Sequence, residues 1–264
     1  MIKKYTTLKQ KLQDQLLTIW LDRPEVHNAF NATMLTELVE ILDWVSGSDE
    51  VRVVVFTGEG KSFSAGADLN WMKEIVNYSY EKNLKESEKI AELFYKIYTC
   101  PKPIIAAING AAVGGGMGFI AASDIVVASE KATFSLSEVK IGLVPSCISP
   151  YLFKKVGEAV LKELFISGQR FDARKALDIH LINYVVEHDR LMSFTNEKAR
   201  ELLSCGPMAL AISKKLFLDV PEMDLKSAFF YTAELIAKMR ISDEAQEGMR
   251  AFLEKRTPNW CINR

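Results

Sequence analysis

The sequence predicts an α/β fold, in which buried parallel strands are joined by helices and a helical region follows them. Residues 51–56 (VRVVVF) and 103–108 (PIIAAI) are almost wholly apolar, which is typical of strands buried on both faces. The segments between them repeat their apolar residues at helical spacing. After about residue 190, strand signals give way to a series of helical patterns. This order favours right-handed βα units followed by a helical tail.

The N-terminal elements are a strand, a capped helix and the first buried strand. Residues 15–21 predict a strand that ends at a turn, because Pro24 cannot take part in further pairing. Asn31 is the expected N-cap of a helix that continues to about residue 46. That helix has an apolar stripe at helical spacing, formed by Leu35, Leu38, Val39, Leu42 and Val45. The strand at 51–56 follows.

The middle of the chain alternates between helices and strands, and the end is helical. Helical patterns cover residues 81–98 and a short segment from Gly115, and a further strand is expected at 124–127. The later helices are predicted at residues 191–203, 208–217, 224–239 and 243–253. Apolar residues such as Phe229 and Phe230 make this tail able to pack on another copy of the chain, or to cover its own core.

Composition limits the function classes. The chain has 264 residues, 48% of them hydrophobic, and a formal net charge of −1, so neither a nucleic-acid partner nor a membrane partner is expected. The first thirty residues lack a continuous apolar stretch, so we expect no signal peptide and a cytoplasmic location. The four cysteines form no CxxC pair and lie far from the three histidines, so we expect free thiols and no metal site.

Two glycine-rich segments carry the main functional signal. Residues 63–69 (FSAGADL) and 114–116 (GGG) place small residues where two backbone segments could both approach a carbonyl group. Main-chain amides of Ala67 and Gly115 could then stabilise an enolate oxygen formed from an acyl-thioester, and Gly115 begins a predicted helix, whose end favours an anion. The alternative is that the glycines only allow close packing of a helix on a sheet. Phosphate-loop, nucleophile-elbow and dinucleotide-binding patterns fit less well, because the required glycine spacings are not met.

Five segments in register resemble the enoyl-CoA hydratase/isomerase (crotonase) superfamily: residues 23–29, 63–69, 110–125, 134–145 and 252–256. The resemblance implies a spiral of ββα units with a C-terminal α-helical trimerisation region, assembled as a homotrimer or a dimer of trimers. Residues 1–195 would then form the catalytic, acyl-CoA-binding core and residues 196–264 the oligomerisation region. It also implies no metal or redox cofactor, since coenzyme A (CoA) arrives as part of the substrate.

The resemblance also implies roles for individual residues. The amides of Ala67 and Gly115 would hold the thioester oxygen, and Glu138 would be the catalytic acid and base. The remaining substrate and CoA contacts would come from Val26, Asn28, Ala29, Ser64, Ala65, Asp68, Leu69, Asn70, Gly114 and Gly118, with Phe252 and Lys255 reaching the CoA of a neighbouring subunit.

The chain departs from the superfamily pattern at two positions. Hydratases of this type usually carry two glutamates, but only Glu138 is present, and Gly118 stands where the first is expected. Glu138 would then act alone, with a pKa raised by apolar neighbours, and Gly118 would leave room for a branched acyl group. His180 stands where glycine is common, and we expect it to adopt a left-handed backbone conformation as a structural residue.

Residues 67–72, 116–118 and 140–151 are similar to a branch of the superfamily that hydrates 3-methylglutaconyl-CoA. That branch also lacks the first glutamate. The leading hypothesis is therefore hydration of 3-methylglutaconyl-CoA to 3-hydroxy-3-methylglutaryl-CoA, a step of leucine breakdown. Two alternatives remain open: a Δ3,Δ2-enoyl-CoA isomerase that uses a single glutamate, and an acyl-CoA-binding scaffold without turnover.

Overall fold

A computed structural model describes residues 3–261 of the chain as a mixed α/β structure. Its strands are β1 (Leu8–Gln13), β2 (Leu16–Leu21), β3 (Val53–Gly58), β4 (Ser62–Ser64), β5 (Ile104–Ile108), β6 (Ala111–Val113), β7 (Ile125–Ser129), β8 (Thr133–Ser135), β9 (Arg170–Asp172) and β10 (Tyr184–Val186). Its helices are α1 (Ala32–Gly47), α2 (Leu69–Ile75), α3 (Tyr80–Thr99), α4 (Gly116–Ala122), α5 (Ser149–Leu152), α6 (Glu158–Ser167), α7 (Ala173–Asp178), α8 (Leu191–Leu203), α9 (Pro207–Asp219), α10 (Leu225–Arg240) and α11 (Asp243–Leu253).

The strands form two sheets. The larger sheet has the order β1-β2-β3-β5-β7-β10, in which β1 and β2 pair antiparallel and all the other neighbours pair parallel. The smaller sheet has the order β4-β6-β8-β9, with β4, β6 and β8 parallel and β9 antiparallel. The predicted parallel strands joined by helices are therefore confirmed.

Local signals account for much of this agreement. The Asn31 side chain caps α1 by accepting a hydrogen bond from the Met34 amide at 3.0 Å, as predicted. His180 follows α7 with a φ of 61°, so its left-handed conformation is also confirmed. The sequence did not predict β1 or the smaller sheet, whose strands have only three residues each. Such short strands are too brief to show periodicity.

A cluster of aromatic rings packs α4 against β3, β4 and α3. Phe119 of α4 contacts Phe56, Phe63 and Phe94 edge-on, with ring centroids 5.5, 5.7 and 5.8 Å away. All four side chains are fully buried. Since such edge-on pairs add about 0.5–1.5 kcal/mol each beyond their buried area, they hold the helix rigidly. The N-terminus of α4 is therefore fixed relative to the sheets.

Helix α8 covers the opposite face of the larger sheet. Its residues Leu191, Ala199 and Leu203 pack on buried residues of β3, β5 and β7. The predicted division at residues 195 and 196 falls inside this helix. Helices α10 and α11 follow it and expose several large apolar side chains, including Phe229, Phe230, Phe252 and Leu253. Within residues 3–261, no helix combines the length and the apolar character that crossing a membrane would need.

Candidate active site

The smaller sheet brings three loops to one edge. Strands β4, β6 and β8 are parallel neighbours, so their carboxyl ends lie side by side. The segments that leave these ends contain residues 65–68, residues 114–115 and the 3₁₀ turn with Glu138, respectively. The two glycine-rich segments and the segment with Glu138 are thus adjacent because of strand pairing, although they are far apart in the sequence.

The first loop fixes the direction of the Ala67 amide. Phe30 and Ala67 form a parallel bridge, in which the Phe30 amide donates to Gly66 O at 2.8 Å and the Asp68 amide donates to Phe30 O at 3.0 Å. Because successive peptide groups of an extended segment point to opposite sides, the Ala67 N–H points away from Phe30. Within residues 3–261, this N–H donates to no acceptor.

The second loop presents the Gly115 amide next to the first. Gly115 is the N-cap residue of α4, and its N–H also donates to no group among the residues described. A Cβ built on Gly66 would lie 3.6 Å from Gly115 N, so the two loops are in contact. A Cβ on Gly115 itself would lie 2.2 Å from Cζ of Phe30, and only glycine therefore fits beneath that ring. Both Ala67 and Gly115 are half-buried and reachable from outside.

The third loop places a carboxyl group beside the glycines. Glu138 lies in a 3₁₀ turn after β8, and its Oε1 would lie 3.5 Å from a Cβ built on Gly114. Its other oxygen, Oε2, is buried and has no hydrogen-bond partner in the described part of the chain. Burial raises the pKa of Glu138 above its usual 4.5, outweighing a smaller lowering by a main-chain amide. Glu138 is thus a desolvated carboxyl group that can hold or release a proton near the two amides.

Three of the predicted CoA contacts have side chains that face inward. Asn28 is fully buried and donates to Glu59 O and Ser62 O at 2.9 and 2.8 Å. Ser64 donates to Asn28 O at 2.9 Å, and the Asp68 carboxylate accepts hydrogen bonds from Arg23 and from the amides that open α2. These side chains hold the loops together, so any contact of theirs with CoA must come from the main chain.

Other predicted CoA contacts lie at the surface. Val26 is half-buried, and Ala65, Asn70 and Leu69 are exposed, Leu69 to 74% of its surface. Ala29 is buried beside them. Phe252 and Lys255 are exposed at the end of α11, and their predicted contact with a neighbouring subunit stays a prediction.

The prediction that Gly118 opens space for an acyl group is wrong. A Cβ on Gly118 would lie 2.2 Å from Cζ of Phe94 and 2.7 Å from Cγ2 of Ile148. The missing side chain is therefore replaced by the Phe94 ring, which belongs to the buried aromatic cluster. Gly118 allows α3 and α4 to approach each other and does not enlarge a substrate cavity.

Sequence reasoning missed the structural role of Phe30 and the position of the Phe94 ring. Phe30 supports both glycine-rich loops, through its main chain on one side and its ring on the other. Its place directly before a predicted N-cap gave no sign of this. The sequence marks Phe94 as an apolar residue of a predicted helix. It does not show that the Phe94 ring fills the space beside Gly118, because tertiary packing decides which side chain lies there.

Comparison with known proteins identifies the family. The family model described as enoyl-CoA hydratase/isomerase matches residues 11–263, so the chain belongs to this family, within the crotonase superfamily. The fold is accordingly the crotonase fold with its C-terminal helical region.

Relatives with assigned names are similar over nearly their whole length. A short-chain-enoyl-CoA hydratase of Clostridium acetobutylicum is 32% identical over 258 residues, which is 96% of each chain. A 2,3-dehydroadipyl-CoA hydratase of Escherichia coli is 30% identical and covers 94% of this chain and 96% of its own. The crystal structure of an enoyl-CoA hydratase from Shewanella pealeana superposes with a TM-score of 0.94, at 36% identity and 97% coverage of both chains.

Proposed function

We propose that this chain is an enoyl-CoA hydratase-type lyase that adds water across the α,β double bond of an acyl-CoA thioester. Three observations support the proposal: the amides of Ala67 and Gly115 have no acceptor among residues 3–261, the loops that carry them are in contact, and the desolvated carboxyl group of Glu138 lies beside Gly114. The relatives from Clostridium acetobutylicum and Escherichia coli are both named as hydratases of acyl-CoA substrates.

The geometry supports a two-step mechanism with a single carboxyl group. The Glu138 carboxylate takes a proton from water while the oxygen of that water bonds to Cβ of the substrate. The electron pair of the double bond moves to the thioester oxygen, and the resulting enolate is held by the amides of Ala67 and Gly115. Protonated Glu138 then returns its proton to Cα, which regenerates the carboxylate and completes the addition of one water. A donor in such a site is worth about 2.7–4 kcal/mol of barrier.

The raised pKa of Glu138 suits both halves of this cycle, because the same group is first a base and then an acid. No further cofactor is needed for this chemistry beyond the CoA that the substrate carries. The mechanism thus uses only groups that the three loops supply.

We further propose 3-methylglutaconyl-CoA as the substrate and 3-hydroxy-3-methylglutaryl-CoA as the product. This rests on the similarity of residues 67–72 and 116–118 to the branch that hydrates this compound. The test is turnover with 3-methylglutaconyl-CoA and with crotonyl-CoA, followed by separation of the products. Preference for 3-methylglutaconyl-CoA is expected, and turnover of crotonyl-CoA alone would contradict the assignment.

A second candidate function is Δ3,Δ2-enoyl-CoA isomerisation. It is favoured by the carboxyl groups at this edge of the smaller sheet, because the Phe94 ring fills the space beside Gly118 and Asp68 is paired with Arg23. Among the described residues of these loops, Glu138 is then the carboxyl group with an oxygen that has no hydrogen-bond partner. An isomerase needs one group to move a proton between two carbons. Incubation of a 3-enoyl-CoA in deuterated water separates the two functions, because an isomerase yields the 2-enoyl-CoA without a hydroxyacyl product. If the chain binds 3-methylglutaconyl-CoA and the 3-enoyl-CoA but turns over neither, it would instead be a scaffold protein.

The proposed assembly is a homotrimer or a dimer of trimers in the cytoplasm, with Phe252 and Lys255 near the CoA of a neighbouring subunit. It is supported by the exposed apolar side chains of α10 and α11, which a single chain leaves in water. The four cysteines are unpaired, as a reducing compartment favours. Light scattering of the purified chain tests the assembly.

A further inference from the structure

A largely buried ion pair joins the Ala67 loop to the loop that follows β2. Nη2 of Arg23 is 2.7 Å from Oδ2 of Asp68, and the two side chains are exposed to only 17% and 5%. The residues are 45 positions apart in the sequence and belong to different loops, one after β2 and one after β4. Asp68 is the next residue after Ala67, so the pair acts on the peptide segment that carries the Ala67 N–H.

Each member of the pair makes further contacts with the same region. Nη1 of Arg23 donates to Ala29 O at 2.6 Å. Ala29 precedes Phe30, whose main chain donates to Gly66 O and accepts from the Asp68 amide. Oδ1 of Asp68 accepts from the Asn70 amide at 2.7 Å and so caps α2. The pair therefore ties together the two segments of the Phe30–Ala67 bridge and the start of α2.

The Asp68 side chain of the pair is held in its ionised form. Burial by itself would raise the pKa of Asp68, but the hydrogen bonds from Arg23, Asn70 and Trp71 outweigh it and hold the pKa below the usual 3.8. Asp68 is thus ionised throughout the neutral range. Because removing one partner of a buried pair leaves the other charge uncompensated, we expect a change of either residue to destabilise this loop.

We propose that Arg23 and Asp68 are positioning residues that aim the Ala67 N–H at the thioester oxygen, and that neither of them contacts substrate through its side chain. This inference rests on the proposed function, since it assigns the two residues to the oxyanion site. The pair sets the angle of the 66–68 segment against Phe30, and the N–H of Ala67 follows that angle. Misplacing a catalytic group by about 1 Å costs up to about 100-fold in rate.

The variants Asp68→Asn and Arg23→Lys test the proposal. Asparagine keeps an oxygen that can cap α2 but loses the charge, and lysine keeps the charge but loses the donor to Ala29 O. We expect kcat to fall about 10- to 100-fold in Asp68→Asn, with KM changing much less, and a smaller fall in Arg23→Lys. The matched control is Asp178→Asn, which removes an exposed ion pair with Arg174 far along the chain.

A spectroscopic measurement distinguishes a changed orientation of the Ala67 N–H from a loss of folding. Acetoacetyl-CoA loses an α-proton to form an enolate that absorbs in the near ultraviolet, so its apparent pKa when bound reports how well the oxyanion is stabilised. The Asp68→Asn variant should bind acetoacetyl-CoA but raise the apparent pKa of its bound enolate, while Asp178→Asn leaves it unchanged. An unchanged enolate pKa in a folded Asp68→Asn or Arg23→Lys variant would overturn the inference. If the wild-type chain itself neither turned over enoyl-CoA nor stabilised the enolate, the proposed function would fail instead.

Discussion

Adding one methyl group to Gly115 should remove most of the activity. A Cβ at this position would lie 2.2 Å from Cζ and 2.7 Å from Cε1 of Phe30, well inside the contact distance of carbon atoms. Phe30 is buried and packs edge-on against Trp71, with ring centroids 6.3 Å apart, so its ring cannot simply rotate into solvent. Gly115→Ala must therefore shift the α4 N-terminus, the Phe30 ring, or both.

The expected loss of activity in Gly115→Ala follows from two changes: the new methyl group overpacks against Phe30, and the Gly115 amide is displaced. Overpacking of a buried site costs about 1–3 kcal/mol of folding free energy, and so the variant should still fold. Displacing the Gly115 amide removes one donor to the enolate, which costs about 2.7–4 kcal/mol of activation free energy, or a fall of about 10²–10³ in kcat. Since Phe30 also holds Gly66 and Asp68, a shifted ring disturbs the Ala67 amide as well.

The assay is steady-state hydration of the preferred enoyl-CoA, with thermal unfolding measured on the same samples. Gly47→Ala is the matched control, because Gly47 lies in α1 and a Cβ there meets nothing within 4 Å. The control should keep full activity and gain slightly in stability, since alanine favours helices. A folded Gly115→Ala enzyme that retained wild-type kcat would refute the assignment of the Gly115 amide.

Further predictions concern Glu138 and the helical tail. Glu138→Gln should lower kcat by about 10²–10⁴ while acyl-CoA binding measured by calorimetry persists, because it removes the proton carrier and keeps the shape. Burial raises the pKa of Glu138, so the acidic decline of wild-type kcat/KM should have its midpoint above pH 4.5. A midpoint at or below pH 4.5 would count against Glu138 as the base. For the same reason Glu138→Gln should raise Tm more at pH 8 than at pH 5, because the cost of the buried carboxylate grows as the pH rises above the ordinary value of 4.5 and is complete only above the raised pKa; equal shifts would argue against this. Phe229→Ser combined with Phe230→Ser should yield a smaller species in light scattering, and an unchanged mass would exclude this face from the assembly.

The sequence predicts the framework of the fold because its signals are local. The β-branched segments became β3, β5 and β7, and the capped amphipathic segment became α1. The glycine-rich segments were also found from local character, because main-chain donors need small residues around them. Their approach to each other through the short strands of the smaller sheet was not predicted, since three-residue strands show no periodicity.

The contacts behind the site depend on tertiary structure. Nothing in the spacing of Arg23 and Asp68 indicates that they pair, and their separation in the chain carries no periodic signal. The gap at Gly118 was expected to be open, but Phe94 from a distant helix fills it. In both places the outcome is set by side chains that are separated in the sequence and meet in the folded structure.

The central claim is that Ala67 and Gly115 share one thioester oxygen while Glu138 faces the reacting carbons. A crystal structure with a bound acyl-CoA measures this directly. The account predicts a thioester oxygen about 2.7–3.1 Å from both amide nitrogens, with the Glu138 carboxyl group beside Cα and Cβ. A thioester oxygen that contacts neither amide, or a Glu138 carboxyl group turned away from those carbons, would contradict it.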